Sequence, residues 1–517
     1  MISLPALIER ASRLNPNGIA TRYRDRQHHW TELESRIARL GAALEKLPFD
    51  EADRVGILSL NSDRFYESIF AIPWAGYCVV PLNTRWALPE NEYAINDSDT
   101  RILLFDDAFL EQTESLLERC PKLEVAIYMG EGECPAWASS YEQMIEINQP
   151  IAASSRGDDD MAGIFYTGGT TGFPKGVMQS HKAIWASALG LLPNCEMERT
   201  SVYLHVAPMF HMADFAGTMN TTICCGANVI HQSFDPSQVL ASIAEEKVTH
   251  VLMVPAMLKI VLSHPDSAIT DVSTLECLLY GASPMPAASL QACMSLWPSV
   301  GLVQAYGQTE LAPVVSSLSK EDHKDGGEKL KSAGRPTGVS DVRLVDEQGN
   351  QCPLGTSGEI VVKGPHAMIG YWKKPEETAK ALRNGWVYTG DAGVFDADGY
   401  LYIVDRVKDM VVTGGENVFT TEVENAVISH LAVFDVAVIG IPHEEWGEAV
   451  HAIVILQPGQ AATEAELIEH CRAQIAGYKL PKTVSFREAP MPLSGAGKVL
   501  KTELRKPYWE GRDRQVN

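Results

Sequence analysis

The chain has 517 residues, 45% of them apolar and 21% charged, with a formal net charge of −23. That length exceeds what one hydrophobic core sustains, so two or more domains are expected. The acidic balance argues against nucleic acid and against anionic membrane surfaces as partners, so any anionic ligand must be held by local features.

The opening stretch "MISLPALIERASRLNP" reads as an amphipathic helix carrying Glu9, Arg10 and Arg13, not as a signal peptide. From there to about residue 260, short apolar runs alternate with helical ones. "RVGILSL", "CVVPLN", "RILLFD", "LEVAIYM", "GANVIHQ" and "THVLMVP" read as strands; "SDRFYESIFAIPWAG", "DAFLEQTESLLERC" and "DPSQVLASIAEEK" read as helices. Buried strands alternating with helices predict parallel-type sheets of an α/β protein. "LECLLYGAS" and "GLVQAYGQTE" extend the pattern, each ending in a glycine-containing turn, and such sheets bind ligands at the carboxyl ends of strands. From about residue 340 to 405, short strands with Gly and Asp-Gly turns predict a β-rich subdomain. After Arg406 comes a small α+β piece, with helices in "TTEVENAVISHL" and "TEAELIEHCRAQI" and strands in "VFDVAVIGIP" and "AVHAIVIL". The boundary falls at residues 405 to 408. No apolar run reaches about 18 residues, so no membrane span is expected. Ten cysteines without C-x-x-C spacing suit a reduced, cytoplasmic chain.

One segment stands apart. "YTGGTTGFPKGV", residues 166 to 177, holds four glycines, three threonines and a lysine. Ordering glycine costs backbone entropy, so the cluster suggests a loop that approaches a ligand closely, and hydroxyls beside a lysine suit a phosphate chain. It is no Walker A loop, because Pro174 occupies the place of the last glycine. Four further polar motifs sit at turns: "YGQTE" at 306–310, "YTGD" at 388–391, Asp405-Arg406 running into Lys408 and Gly414-Gly415, and "SGAGK" at 494–498. Together they supply the parts for ATP: an aromatic for adenine, a carboxylate for the ribose, a hydroxyl loop for phosphates, a Glu for Mg²⁺ and a lysine for charge at the α-phosphate.

In order and spacing, from "WTELESRIARLGAALEK" to "GKVLKTELRK", these motifs resemble the adenylate-forming superfamily of acyl-CoA synthetases, luciferases and adenylation domains. The resemblance implies a large N-terminal AMP-binding domain over 1–405, a hinge at 406–408 and a small mobile C-terminal domain over 409–517. It implies that Thr167, Gly168, Gly169, Thr170, Thr171 and Lys175 form the loop over the β- and γ-phosphates. Gly281, Ala282, Ser283 and Tyr306 border the adenine, Thr309 touches the α-phosphate, and Glu310, with Thr170, serves Mg²⁺. Asp391 and Arg406 hold the ribose. Lys498 meets the carboxylate and α-phosphate, His211 gates the acid, Lys408 is the hinge, and Gly414 and Gly415 line the thiol's path. Two positions depart from the family's habit, Thr420 for a proline and Ala496 for a Ser or Thr.

The implied reaction joins a carboxylic acid to AMP, releases pyrophosphate, and passes the acyl group to CoA. Phe210, His211, Met212, Phe215, Gly217, Thr218, Gly307 and Pro313 are the expected acid pocket, and they suggest a medium- or long-chain fatty acid. A cinnamate- or benzoate-like acid is second, and an adenylating enzyme that loads a carrier protein is third. ATP, Mg²⁺, CoA and the acid are the expected ligands, with no nucleic acid or integral membrane partner; a homodimer is compatible with all of this.

Overall fold

The computed structural model describes residues 2–167, 174–406, 409–413, 416–472, 474–493 and 499–510. The chain divides into two units, Met1–Val342 with Val362–Val387, and Arg343–Val361 with Tyr388–Asn517.

In the first unit the apolar runs become two sheets. Among the described residues, one has nine strands in the order Arg335–Pro336, Val314–Leu318, Gly301–Gly307, Cys277–Gly281, His250–Met253, Val202–His205, Ala227–Ile230, Ile19–Tyr23, Arg26–His29. The other has eight: Gly370–Tyr371, Lys175–Ser180, Met161–Thr167, Cys78–Pro81, Arg54–Leu58, Thr100–Phe105, Val125–Tyr128, Ser139–Ser140. Both are parallel in the interior, as the alternation of strands and helices predicts; the nine-stranded sheet is antiparallel at both edges and the eight-stranded one at its Gly370–Tyr371 edge. The edges differ because their connections are short. A parallel crossover needs a dozen or more residues, whereas only residues 308–313 and 168–174 lie between the strands they join. The glycine-rich segment is therefore the connection of an antiparallel pair, with Thr167 opposite Lys175.

Helices start where side chains satisfy their first amides. Ser62 accepts from the Phe65 amide at 3.0 Å, Ser180 from Ala183 at 3.1 Å, and Asp235 from Gln238 at 2.9 Å ahead of Pro236. The main core gathers Trp30, Phe65, Tyr66, Phe70, Phe165 and Phe215. In the nine-stranded sheet the alternation of side chains is visible on single strands. Leu278 and Tyr280 face a core with Val239, Leu258 and Leu290, while Cys277 and Leu279 face another with Leu191 and Ala213.

The sequence "VLMVPAMLKIVL" is cut into the strand His250–Met253 and the helix Pro255–Leu262, and no helix among the described residues is long and apolar enough to cross a membrane. All ten cysteines are unpaired.

The first unit also buries three neutral histidines. His181 accepts the Leu4 amide at Nδ1 (3.1 Å), His250 bonds the Cys195 carbonyl through Nε2 (2.8 Å), and His366 bonds the Ser340 hydroxyl (3.2 Å). Burial pushes each down to about 4. Between pH 6.5 and 4 the unfolded chain therefore binds more protons than the folded one at these sites, so stability is lost as pH falls, by roughly 3 kcal/mol per histidine over the full range. We expect Tm to drop steadily from pH 7 to pH 4.5 by scanning calorimetry. His366→Gln should make that dependence shallower; a Tm that stays level across the range refutes the assignment.

In the second unit, Trp386–Phe395 continues from the first and pairs antiparallel with Leu401–Arg406. A further sheet orders Glu416–Val418, Val411–Thr413, Gly447–Leu456 and Val433–His443, with Thr483–Phe486 parallel to Gly447–Leu456. Helices Thr420–Ile428 and Glu464–Arg472 lend it Val423, Val427, Leu467 and Cys471 for a core.

Candidate active site

The first unit brings two of the motifs, 166–177 and 306–310, together with the Gly281–Ser283 turn at its strand ends. Thr167 closes the strand Met161–Thr167 and Lys175 opens its antiparallel partner, with the Thr167 hydroxyl 3.5 Å from the Lys175 carbonyl. That partner strand also pairs with Gly370–Tyr371, Tyr371 lying opposite Val177. The Lys175 ammonium consequently sits 5.0 Å from the centroid of the Tyr371 ring, a cation–π contact.

The same tyrosine reaches the second motif. Its hydroxyl donates to Glu310 Oε1 at 2.8 Å, and the Met368 amide donates to the Glu310 carbonyl at 2.9 Å. Gln179 Nε2 donates to the Thr309 carbonyl at 2.5 Å. The turn that carries Thr309 and Glu310 is thereby tied at three points to the phosphate-loop edge of the other sheet. Burial and the neighbouring Glu310 carboxylate push the Tyr371 phenol well above its ordinary value, so it remains a donor to that carboxylate. Tyr371 and Gln179 were not legible as site residues; "GYW" carries no chemical signature, and only strand pairing sets it against Glu310.

The Gly281–Ser283 turn and the start of the second motif lie on neighbouring strands. Gly281 pairs with Ala305, so the turns Gly281-Ala282-Ser283 and Tyr306-Gly307-Gln308 follow adjacent parallel strands. Glycine is required at both. A Cβ on Gly281 would lie 2.2 Å from the Ala305 carbonyl oxygen, and one on Gly307 would lie 1.8 Å from that of Pro313. Ala282 adopts φ +65°, bending the chain sharply after its strand. Ala282, Ser283, Tyr306, Thr309 and Glu310 are half-buried, as a binding edge requires. His211 caps the helix Met212–Cys224, its Nδ1 accepting from the Ala213 amide at 3.3 Å.

In the second unit Asp391 pairs with Arg406 across adjacent strands, and its amide is held by the Thr389 hydroxyl at 3.1 Å. For Arg406 only the backbone is described. Gly168, Gly169, Thr170, Thr171, Lys408, Gly414, Gly415 and Lys498 lie outside the described residues.

No cluster of three or more His, Cys, Asp or Glu fit to hold a metal occurs among the described residues. Glu310 is instead a lone carboxylate with one oxygen already engaged by Tyr371. That donor set does not make a resident metal centre. It fits Mg²⁺ that arrives on nucleotide phosphates and keeps most of its water.

A two-sheet α/β unit whose strand ends present a Thr/Lys phosphate edge beside a carboxylate defines a nucleotide-dependent enzyme. The AMP-binding enzyme model matches residues 8–372, and the AMP-binding enzyme C-terminal domain model matches residues 422–498. The chain belongs to the AMP-binding enzyme family, and it is an acid–thiol ligase. It is 37% identical over 504 residues to a feruloyl-CoA synthase of Amycolatopsis sp, covering 96% of this chain and 98% of that one. It is 36% identical over 503 residues to the medium/long-chain-fatty-acid–CoA ligase FadD8 of Mycobacterium tuberculosis, covering 94% and 86%. ATP-bound MatB from Rhodopseudomonas palustris superposes with a TM-score of 0.89 at 28% identity, covering 98% and 99%.

Proposed function

We propose that this chain activates a carboxylic acid as its acyl-adenylate, with loss of pyrophosphate, and then transfers the acyl group to CoA. The observation that carries this is the tie between Lys175, Tyr371 and Glu310, which sets a cation and a carboxylate side by side where a Mg²⁺-bound triphosphate needs both. Mg²⁺, when bound on the nucleotide, neutralises the phosphates. Lys175 and the hydroxyls of Thr167, Thr170 and Thr171 hold the leaving pyrophosphate, Thr309 and Lys498 meet the α-phosphate, and Tyr306 with Gly281, Ala282 and Ser283 borders the base. Asp391 and Arg406 take the ribose. The acid's carboxylate oxygen forms a bond to the α-phosphorus as the bond to pyrophosphate breaks; the thiolate of CoA then displaces AMP from the acyl carbon. A lysine at the phosphate and an incoming pantetheine compete for space. We therefore assign residues 409–517 to a mobile domain turning about Lys408, with Gly414 and Gly415 along the thiol's path and residues 1–405 as its partner domain.

The acid has two candidate classes. The likeness to FadD8 favours the fatty acid; the feruloyl-CoA synthase, similar over almost its full length, favours an aromatic acid. Labelled pyrophosphate exchange into ATP, run beside a CoA-consumption assay over a panel of acids, tests the function. Exchange without CoA consumption would point to a carrier-protein loader, and no exchange with any acid rejects the reading.

Tyr371→Phe removes one hydrogen bond to the Glu310 carboxylate and keeps the ring beneath Lys175. We expect half-saturating Mg²⁺ to rise about fivefold, the worth of roughly 1 kcal/mol, with kcat at saturating Mg²⁺ little changed. Mn²⁺ binding to the enzyme–ATP complex by electron paramagnetic resonance reads the same shift without turnover. An unaltered metal requirement removes Tyr371 from this role.

A further inference from the structure

The proposal here rests on the acid-activating function above and concerns the depth of the acid site. The helix Met212–Cys224 has two apolar faces. Met212, Phe215 and Met219 enter the main core, Phe215 packing edge-on against Phe165 at 5.1 Å between centroids. Those residues, with the fully buried Thr218, are thus not the wall of an acid pocket that the sequence suggests for Met212, Phe215 and Thr218. The opposite face runs through Ala213, Gly217 and Asn220, spaced i, i+4 and i+7. It meets Leu279 and Ala305, carried by the very strands whose ends hold the Gly281–Ser283 and Tyr306–Glu310 turns. An acid whose carboxylate lies at those turns therefore has its tail directed between this helix face and these strands.

Along that direction lie small, half-buried residues, Ala213, Ala305, Gly307 and Pro313. It ends at Tyr203, which is 1% exposed. A Cβ on Gly217 would lie 2.2 Å from the Tyr203 hydroxyl oxygen, so the phenol abuts the helix backbone and closes the way there. Beyond it remains a cavity of about 10 Å³, lined by Cys195, Met197, Tyr203, Gly217, Asn220 and Cys277 among others. That is room for one water molecule, for which the unpartnered Asn220 Oδ1 is a ready acceptor, and not for an alkyl chain.

Tyr203 is not free to swing aside. Its hydroxyl donates to Asp214 Oδ1 at 3.2 Å; Asp214 Oδ2 bonds His205 Nδ1 at 2.7 Å, and His205 Nε2 bonds Asn228 Oδ1 at 3.0 Å. Asp214, His205 and Asn228 are all fully buried. Displacing the phenol strips a buried carboxylate of one donor, so the floor is rigid. From His211 at the helix start to Gly217 the wall measures about 9 Å, at 1.5 Å per helical residue. An aryl ring fits that depth; an extended twelve-carbon chain does not.

We propose that Tyr203, seated on Gly217 and clamped by Asp214, sets the depth of the acid site, and that the substrate is a compact carboxylic acid, aryl or short acyl, not a long-chain fatty acid. The test is pyrophosphate exchange by the full chain with butyrate, benzoate, 4-hydroxycinnamate, octanoate, dodecanoate and hexadecanoate. For the wild type, kcat/KM with the best aryl or short acid should exceed that with dodecanoate at least a hundredfold. Tyr203→Ala should raise kcat/KM for octanoate and dodecanoate at least tenfold through KM while lowering it for the aryl acid; Tyr203→Phe, which keeps the ring but loses the Asp214 clamp, should relax the chain-length limit less than Tyr203→Ala does. A wild type that prefers dodecanoate overturns the proposal, as does a Tyr203→Ala enzyme with an unaltered chain-length profile. The wild-type profile decides alone if Tyr203→Ala does not fold. Exchange with no acid at all instead rejects the ligase function and the proposal with it.

Discussion

Lys498→Ala is expected to cut acyl-adenylate formation by about 10²- to 10³-fold while leaving thioester formation from supplied acyl-adenylate within about threefold of wild type. The lysine closes the segment "SGAGK" near the C-terminus, after Gly495 and Gly497. Attack on the α-phosphorus crowds negative charge onto oxygens that water must not reach, and an ammonium aimed there acts in a low dielectric. In transfer to the thiol the attack falls on the acyl carbon and not on phosphorus, and on the proposed domain rotation the lysine has by then left the phosphate. The two half-reactions therefore separate, and measuring each in turn, by pyrophosphate exchange and by CoA consumption from synthetic acyl-adenylate, reads the difference. An equal loss in both would falsify the placement of Lys498 at the phosphate.

Glu310→Gln is the second large effect. The carboxylate lies where the Thr309–Leu311 turn follows the strand Gly301–Gly307, steadied by the Tyr371 hydroxyl and by the Met368 amide on its own carbonyl. Glutamine keeps the shape and one acceptor oxygen but loses the charge that draws Mg²⁺ to the phosphates. We expect adenylation to fall about a hundredfold, near 2.7 kcal/mol of transition-state stabilisation, with the acid's KM almost unmoved. The Tm should stay close to wild type, since the amide oxygen of the new side chain can still accept from Tyr371. Retained activity at ordinary Mg²⁺ concentrations would free Glu310 from any part in the reaction.

Lys498 is named through the resemblance carried by "SGAGK" following a phosphate-type loop and "YGQTE", and it lies outside the described residues. Glu310 could be named the same way, but not its partner. Tyr371 is 61 residues away, and an isolated tyrosine after a glycine is ordinary. Asp214 is a similar case. It sits three residues past His211 and is expected from the sequence only to point away from the acid pocket; its partners, His205 and Tyr203, come from the fold.

The order of residues was enough to establish the alternation of strands and helices and the passage to a β-rich stretch and a small α+β piece. These are local properties: periodicity and turn residues. It took the folded chain to reveal that the sheets carry antiparallel edges, that Lys175, Tyr371 and Glu310 meet, and which face of the helix Met212–Cys224 turns toward Tyr203. Each depends on pairing between segments far apart along the chain, where a shift of one residue in a strand, or of about 100° around a helix, exchanges the buried side for the other.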